Sequence, residues 1–474
     1  MRLLLACVAA AMVLGCATLP EVNPWYGGSA KVHAPKVVGA RGPLSRERAK
    51  AVLARLGAQA DTDLLARHIA IEQEVSGEPL TVGNAATLLN DGPAAYKSMF
   101  EAIARARDHI NVEYYIIDDD EVGRHFSDAL LRKAAEGVSV NLMYDSVGSI
   151  DTPRAFFDRL RAGGARVLEY NPVNPLKARG DWRVNNRNHR KVVIVDGQVG
   201  YTGGINISGV YSHGSAPSGG SAGSGGSGGV SGSGGGFRAS DKSSGPGWRD
   251  TNVRLEGPVV AQLQRMFLDT WAKQHGDALP ARNWFPQPRR AGNNPARIIA
   301  SGPDDAIPAI YVSLVSAILN AENSVHITMA YFVPDPQTIE ALEGAAARGV
   351  DVTLILPSHT DFWAVFHAGR AHYSELLDAG VKIYERQDTI LHAKTVVIDG
   401  VWSTVGSSNM DWRSFLLNAE LNAVILGESF GNAMEAMFQR DVAESARIDS
   451  ESWSRRPLSV RMKEWAATLW QYWL

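Results

Sequence analysis

One short pattern of histidine, lysine, aspartate, glycine and asparagine occurs twice in this chain with the same internal spacing. The first copy consists of His189, Lys191, Asp196 and the run Gly203-Gly204-Ile205-Asn206. The second copy consists of His392, Lys394, Asp399 and the run Gly406-Ser407-Ser408-Asn409. This repetition constrains the fold more than any other feature, because it predicts two related halves within one polypeptide.

Each copy begins on a predicted β-strand. Lys191 and Lys394 start runs rich in β-branched residues that end at Asp-Gly, which is typical of a strand followed by a turn. Side chains two apart on a strand point the same way, so each histidine lies beside its lysine. Such a pair suits phosphate chemistry, because an ammonium neutralises phosphate oxygens and an imidazole can attack phosphorus or move a proton near neutral pH.

The remaining motif residues also have predicted roles. Asn206, Asn409 and Ser407 are expected to bind the same phosphate oxygens, because amides donate N–H groups and small residues let the backbone come close. Asp196 and Asp399 belong to the predicted catalytic motifs and stand at strand ends before glycine. We expect these two carboxylates to brace the turns rather than to transfer protons.

Two further carboxylates are predicted to serve the histidines. Asp250 and Glu420 lie at comparable distances beyond the histidine of their own half once a Gly/Ser-rich insertion is discounted. A nucleophilic histidine needs an acceptor on its other ring nitrogen, which fixes the tautomer and stabilises the charged ring. We therefore predict that Asp250 and Glu420 orient the histidines; the alternative is that they are surface carboxylates on strands.

The rest of the body is duplicated as well. The helical pattern of residues 95–103 is repeated at residues 310–318, and each copy precedes a strand that reaches Tyr115 or Tyr331. Alternating helices and apolar strands predict a three-layer α/β sandwich in each half. The predicted domains are a signal peptide (1–15), a tether and helix (16–80), a first half (81–290) containing an insertion at 214–247, and a second half (291–474) with a Trp-rich C-terminal helix.

The paired pattern resembles the signature of the phospholipase D superfamily over about residues 80–474. Further stretches are similar to bacterial cardiolipin synthases: Pro79-Leu80-Thr81-Val82-Gly83-Asn84, Asn188-His189-Arg190-Lys191, Ser301-Gly302-Pro303-Asp304 and Tyr331-Phe332-Val333-Pro334-Asp335. The resemblance implies two phospholipase D-type α/β/α halves packed about a pseudo-twofold axis, with both histidine motifs at the seam. It also implies that His189 is the nucleophile, that His392 is the acid and base, and that a phosphohistidine forms between the two steps.

The predicted function is phosphatidyl transfer of the cardiolipin synthase type on envelope phospholipids. Phospholipase D hydrolysis to phosphatidic acid and a phosphodiesterase nuclease are the alternatives. The formal net charge of −3 and the lack of a basic stripe count against a nucleic-acid partner. A catalytically silent membrane scaffold is disfavoured by two intact motifs. No metal or other cofactor is expected, because two lysines supply the positive charge, and a monomer is expected because one chain holds both halves.

The N-terminus predicts a lipid anchor. Arg2 precedes an apolar run at residues 3–14, which suits the core of a signal peptide but is too short for a transmembrane helix. Val13-Leu14-Gly15-Cys16 resembles the lipobox of bacterial lipoproteins, so Cys16 would be lipidated and the enzyme would face the periplasm. Ala17 favours sorting to the outer membrane. A plain secretory signal is the alternative, and many cardiolipin synthases instead carry N-terminal transmembrane helices.

Two other segments leave alternatives open. The insertion at 214–247 is almost entirely Gly and Ser, which predicts a disordered loop near the active site, either a tolerated surface insertion or a lid. The C-terminal segment is dense in Trp and Tyr, including Trp465 and Trp470. That composition suits either a membrane–water interface or a helix packed on the catalytic core.

Overall fold

The structure is a computed structural model that describes residues 18–23, 35–56, 62–177, 182–212 and 247–473. The predicted signal peptide with Cys16, and all of the Gly/Ser-rich insertion except Gly247, lie outside the described residues. Within the described ranges, no helix is both long enough and apolar enough to cross a bilayer.

The first half contains a mixed sheet with helices on its faces. The segment before it contains β1 (Val37–Gly39), β2 (Gly42–Pro43), α1 (Arg46–Leu56) and α2 (Thr62–Ser76), and α2 packs on the second half, where Glu72 pairs with the buried Arg297. The elements of the first half in chain order are β3 (Leu80–Leu89), α3 (Gly92–Arg105), β4 (His109–Tyr114), α4 (Glu121–Ala135), β5 (Ser139–Asp145), α5 (Arg154–Ala162), β6 (Arg166–Tyr170), β7 (Arg187–Asn188), β8 (Lys191–Val195), β9 (Val199–Gly203), β10 (Trp248–Arg249), β11 (Asn252–Glu256) and α6 (Val260–Lys273).

The second half repeats this plan. Its elements are β12 (Asn294–Ser301), α7 (Ala309–Leu319), β13 (Ser324–Met329), α8 (Pro336–Ala347), β14 (Asp351–Pro357), α9 (Trp363–Ala371), α10 (Tyr373–Asp378), β15 (Lys382–Arg386), β16 (Ile390–Leu391), β17 (Lys394–Ile398), β18 (Trp402–Gly406), α11 (Trp412–Leu416), β19 (Asn418–Leu426), α12 (Glu428–Ala443), β20 (Ser445–Arg447), α13 (Ser450–Ser454) and α14 (Leu458–Thr468).

The two halves share one strand order. In the first half the order is β6-β5-β4-β8-β9-β11-β3, with β4, β5 and β6 parallel and the remaining neighbours antiparallel. In the second half it is β15-β14-β13-β17-β18-β19-β12, with the same directions. Parallel neighbours need crossovers, which helices supply in both halves. The predicted α/β fold of two similar halves is confirmed.

The halves are joined into one body by a strand and by a shared apolar core. Strand β3 pairs with β11 through its second part and with β12 through its first part. A buried cluster includes Val192 and Leu255 of the first half together with Val397, Val405 and Leu421 of the second. Burial of this apolar surface favours association of the halves, since it removes the surface from water.

Candidate active site

The segments before the two histidines cross between the halves. Strand β7 pairs with the start of β19 in the second half, and the His189 N–H donates to the Ala419 carbonyl at 2.9 Å. Strand β16 pairs with β10 in the first half, and the His392 N–H donates to the Arg249 carbonyl at 2.8 Å. Each histidine is therefore held by the backbone of the other half, next to the carboxylate residue of that half, Glu420 or Asp250.

The crossing decides which carboxylate contacts which histidine. His189 Nδ1 lies 2.9 Å from Glu420 Oε1 and 3.1 Å from Oε2, and His392 Nδ1 lies 2.7 Å from Asp250 Oδ2. Both carboxylates are fully buried. Asp250 and Glu420 thus contact the histidines as the sequence predicted, but each contacts the histidine of the opposite half. Because Nδ1 is engaged, Nε2 is the ring nitrogen left for chemistry on each side.

Both lysines lie beside their histidines and are buried. Lys191 Nζ donates to the His189 carbonyl and Lys394 Nζ to the His392 carbonyl, each at 2.5 Å. Burial lowers the pKa of Lys191 well below its ordinary value and that of Lys394 to about 8. The charge of Lys394 also depresses the pKa of Lys191, so the two motifs lie within electrostatic reach of each other in one site.

The two histidines have unequal surroundings. Burial lowers the pKa of His189 well below its usual range, and the charges of Lys191, Lys394 and His392 lower it further. Burial and Lys394 also lower the pKa of His392, but Asp250 opposes that change. Burial raises the pKa of Glu420 to about 7 despite the neighbouring lysines. A neutral imidazole is thereby favoured at His189, which is the state a nucleophile requires.

The three residues predicted to bind phosphate oxygens differ in their contacts. Asn206 accepts from the Ile116 N–H at 3.2 Å and donates to the Tyr211 hydroxyl at 3.2 Å. The buried Asn409 Oδ1 has no hydrogen-bond partner among the described residues. The Ser407 hydroxyl donates to Glu420 Oε2 at 2.5 Å and would reach a phosphate only by giving up that bond.

The motif aspartates lie at the far ends of their strands. Asp196 accepts from the backbone N–H groups of residues 107–109, and Asp399 accepts from those of residues 322–324. Both have positive φ, at 52° and 53°, and each is followed by glycine. These contacts tie the turn after each motif strand to the start of β4 or β13, as expected of bracing residues.

Two arginines near the first motif do not join this site. The guanidinium of Arg190 donates to Thr270 and to the Ser301 carbonyl. Arg187 pairs with the buried Asp145 at 3.4 Å. Arg187, Arg190 and Lys191 lie close together in the sequence, but the alternation of side chains along the chain directs Arg190 away from Lys191.

Four aromatic residues beside the histidines were not predicted as site residues. The rings of Tyr115 and Tyr331 stand edge-on to His189 and His392, at centroid distances of 4.9 and 6.3 Å. The Tyr211 hydroxyl lies 3.3 Å from His392 Nδ1, and the Trp248 ring lies 5.1 Å from the His392 ring. The recurrence of tyrosine after the same strand of each half is the signal that could have found the first pair.

Comparison with known proteins agrees with this geometry. A family model described as "Cardiolipin synthase, PLD-like domain" matches residues 99–211 and 314–442, which contain both motifs. The cardiolipin synthase of Geobacillus kaustophilus is 34% identical over 393 residues, covering 82% of this chain and 72% of the relative. Cardiolipin synthase 1 of Staphylococcus epidermidis is 36% identical over 394 residues, covering 82% and 74%.

A solved structure shows the same fold. The phosphatidylserine synthase of Haemophilus influenzae superposes with a TM-score of 0.61 at 13% identity and covers 85% of this chain and 99% of its own. Identity above 30% over most of each relative, together with two complete motif sets, establishes the relationship. The chain belongs to the phospholipase D-like family of the cardiolipin synthases.

Proposed function

We propose that this enzyme transfers a phosphatidyl group from one phospholipid to a hydroxyl group of another, as a cardiolipin synthase does. One observation carries the proposal: two histidines, each backed by a buried carboxylate from the opposite half, share a site with two lysines. The relatives named cardiolipin synthases support the choice of phospholipid as substrate, because their similarity covers about four fifths of the chain.

In the first step, His189 Nε2 attacks phosphorus in line with the leaving alkoxide. An N–P bond forms, the bond between phosphorus and the leaving oxygen breaks, and His392 gives its proton to that oxygen. Glu420 stabilises the positive charge that develops on the His189 ring. The pKa of His189, which burial lowers, supports this assignment, because a neutral ring holds the lone pair that attacks.

In the second step, the acceptor hydroxyl gives its proton to His392 while its oxygen attacks phosphorus. The new O–P bond forms, the N–P bond breaks, and His189 leaves as a neutral imidazole. Lys191 and Lys394 stabilise the charge on the non-bridging oxygens in both steps. Asn206 and Asn409 hold the same oxygens from the ends of the motifs.

The location of the enzyme belongs to the same proposal. A lipid on Cys16 would hold the catalytic body at the periplasmic side of the envelope, and Ala17 favours the outer membrane. Labelling with a fatty acid, followed by fractionation of the two membranes, tests this part. We expect label on the wild type and none on Cys16→Ser. The enzyme is expected to act as a monomer, because one chain supplies both histidines and both carboxylates.

The decisive experiment is product analysis with the purified enzyme. Phosphatidylglycerol vesicles should yield cardiolipin and glycerol, and His189→Asn and His392→Asn should yield neither. Phosphatidic acid as the only lipid product would assign hydrolysis instead. Cleavage of DNA without any lipid product would refute phosphatidyl transfer.

Trapping of the phosphoenzyme by denaturation in alkali, which preserves an N–P bond, tests the roles of the histidines. With a radiolabelled donor, we expect the label on His189, and it should accumulate in His392→Asn when the donor has an activated leaving group. Such a donor is needed because the acid that protonates an ordinary leaving alcohol is missing from that variant. Label found only on His392 in the wild type would reverse the assignment.

A further inference from the structure

The last helix exposes its apolar face to solvent. Leu458, Met462, Trp465, Leu469 and Tyr472 are 57–70% exposed. They are spaced four, three, four and three residues apart, so they form one face of α14 and of the turn that follows it. We call these five residues the C-terminal stripe.

The opposite face of α14 packs on the protein. Ala467 lies in a buried cluster with Val333 and with Val365 and Ala368 of α9. Glu464 is buried, and it accepts from Arg456 at 2.9 Å. A helix on a water-facing surface normally buries its large apolar side chains. In α14 these side chains are exposed, and an exposed apolar patch of this kind marks an interaction surface.

The C-terminal stripe adjoins the active site. Tyr472 packs on Trp412 with ring centroids 4.9 Å apart, and Trp412 follows the second motif by three residues. The Tyr331 hydroxyl donates to Asp361 at 2.6 Å, and the Tyr331 ring stands beside His392. Residues 362 and 363, an exposed Phe-Trp pair at the start of α9, follow Asp361 directly.

The first half presents an apolar residue at the corresponding place. Ile150 is 65% exposed and lies in the loop after β5, which corresponds to the loop after β14 that carries Asp361. The neighbouring Ser149 donates to the carbonyl of Tyr115, whose ring stands beside His189. Apolar side chains are thus exposed beside the site on both halves.

The charges around the stripe favour one kind of partner. Arg461 and Lys463 are exposed on α14, whereas the one carboxylate of the helix, Glu464, is buried and paired. A second copy of the chain would bring these cations towards their own equivalents in a symmetric contact, because such an interface presents the same patch on both sides. Anionic headgroups would pair with them, and Trp and Tyr rings are suited to the boundary between headgroups and acyl chains.

We propose that the C-terminal stripe docks the enzyme on the surface of a bilayer that contains anionic phospholipids, with the active site facing the headgroups. The proposal rests on the proposed function, because the substrate then comes from the bilayer on which the enzyme sits. Residues 362–363 and Ile150 supply further apolar contacts on either side of the site.

The first test reports on the stripe alone. The chain contains two cysteines, at positions 7 and 16, so the full chain with Cys7→Ser and Cys16→Ser accepts a single new thiol. An environment-sensitive fluorophore is attached through Met462→Cys and, in a control, through the exposed Arg105→Cys on α3. Vesicles of phosphatidylglycerol and phosphatidylcholine should shift the emission of the first probe to the blue and leave the second unchanged. The N-terminal segment does not confuse this result, since each probe reports only its own surroundings.

The second test separates docking from chemistry. Trp465→Glu is compared with Phe285→Glu, because Phe285 is also about half exposed but follows Trp284, which packs on His109 at the other end of the strands. We expect Trp465→Glu to lower turnover on vesicles by about tenfold or more, since a bilayer contact is lost. Turnover of a short-chain phospholipid dissolved as monomers should stay unchanged in both variants.

The outcomes are distinguishable. If the emission of the probe at position 462 did not shift on vesicles whose phospholipid the enzyme converts, the docking surface would be refuted. A probe that is already blue-shifted before vesicles are added would also refute it, because the chain itself or a second copy would then cover the stripe. If the wild type converted neither vesicles nor monomeric phospholipid, the proposed function would fail, while the probe would still decide whether the stripe docks.

Discussion

Replacing Glu420 by glutamine should abolish most activity and at the same time stabilise the fold. The carboxylate accepts from His189 Nδ1 at 2.9 Å and is fully buried. Glutamine keeps its shape and removes its charge. Loss of an equivalent carboxylate behind a catalytic histidine costs about 10³–10⁴ in kcat, or about 4–5.5 kcal/mol of barrier.

The gain in stability follows from the pKa of the same group. Burial raises the pKa of Glu420 to about 7, against 4.5 for the unfolded chain. Between these two values the unfolded chain releases the proton and the folded protein retains it, so rising pH favours unfolding. At about 1.4 kcal/mol per pKa unit, the full penalty above pH 7 is about 3–4 kcal/mol. Glu420→Gln removes it but also weakens the hydrogen bonds from Ser407 and Asn418.

We therefore expect the free energy of unfolding of Glu420→Gln to exceed that of the wild type by about 1–3 kcal/mol at pH 8, with no gain at pH 4. Urea denaturation at both pH values measures this, and initial rates with phosphatidylglycerol measure kcat. Glu435→Gln is the matched control, since Glu435 contacts His326 Nδ1 at 2.8 Å outside the site, and it should keep kcat within about twofold. A variant that was active within tenfold, or less stable at pH 8, would contradict the reasoning.

Three further predictions concern residues of the two motifs. Burial lowers the pKa of Lys394 to about 8, so its positive charge is present below that pH and lost above it. We therefore expect kcat/KM to fall as pH rises through about 8, and a flat profile up to pH 10 would contradict this. A Cβ at Gly204 would lie 2.2 Å from Asp250 Oδ1, so Gly204→Ala should lower kcat by about a hundredfold by displacing that carboxylate. Gly344→Ala in α8 is the control, since the nearest atom to its new Cβ is Arg348 Nη1 at 3.7 Å, and it should keep kcat. Equal rates in the two variants would be the contrary result. Asp399→Ala leaves three backbone N–H groups without their acceptor, so it should lower the free energy of unfolding by about 2–4 kcal/mol. The folded variant should keep kcat within about threefold, which denaturation and parallel rate measurements check. A loss of kcat as large as that of His392→Asn would assign Asp399 to the chemistry.

The repeated motif predicted two related halves, and the resemblance to the phospholipase D superfamily implied that both histidine motifs meet at one seam. The β-branched runs that end at Asp-Gly predicted a strand and a turn in each half, and local geometry of this kind depends on neighbouring residues in the chain. Asp250 and Glu420 were found for the same reason, since each follows its own motif at a comparable distance. Both halves have the same strand order because the same sequence of helices and strands occurs twice in the chain.

The crossing of the halves could not be predicted. It depends on the pairing of β7 with β19 and of β10 with β16, and each contact involves only two residues of each strand. Segments that short have no periodicity, so nothing in them indicates a partner far along the chain. The contact of Ser407 with Glu420 does not involve the crossing, because it lies within the second half between the paired strands β18 and β19.

The active site cannot be complete until the second half of the chain has been synthesised. His189 receives its carboxylate from a residue 231 positions later, and β7 finds its partner only when β19 has been added. In a chain that ends before β19, His189 lacks the acceptor that orients it. We therefore expect activity only after both halves have been made and assembled, and none from a chain truncated before β19.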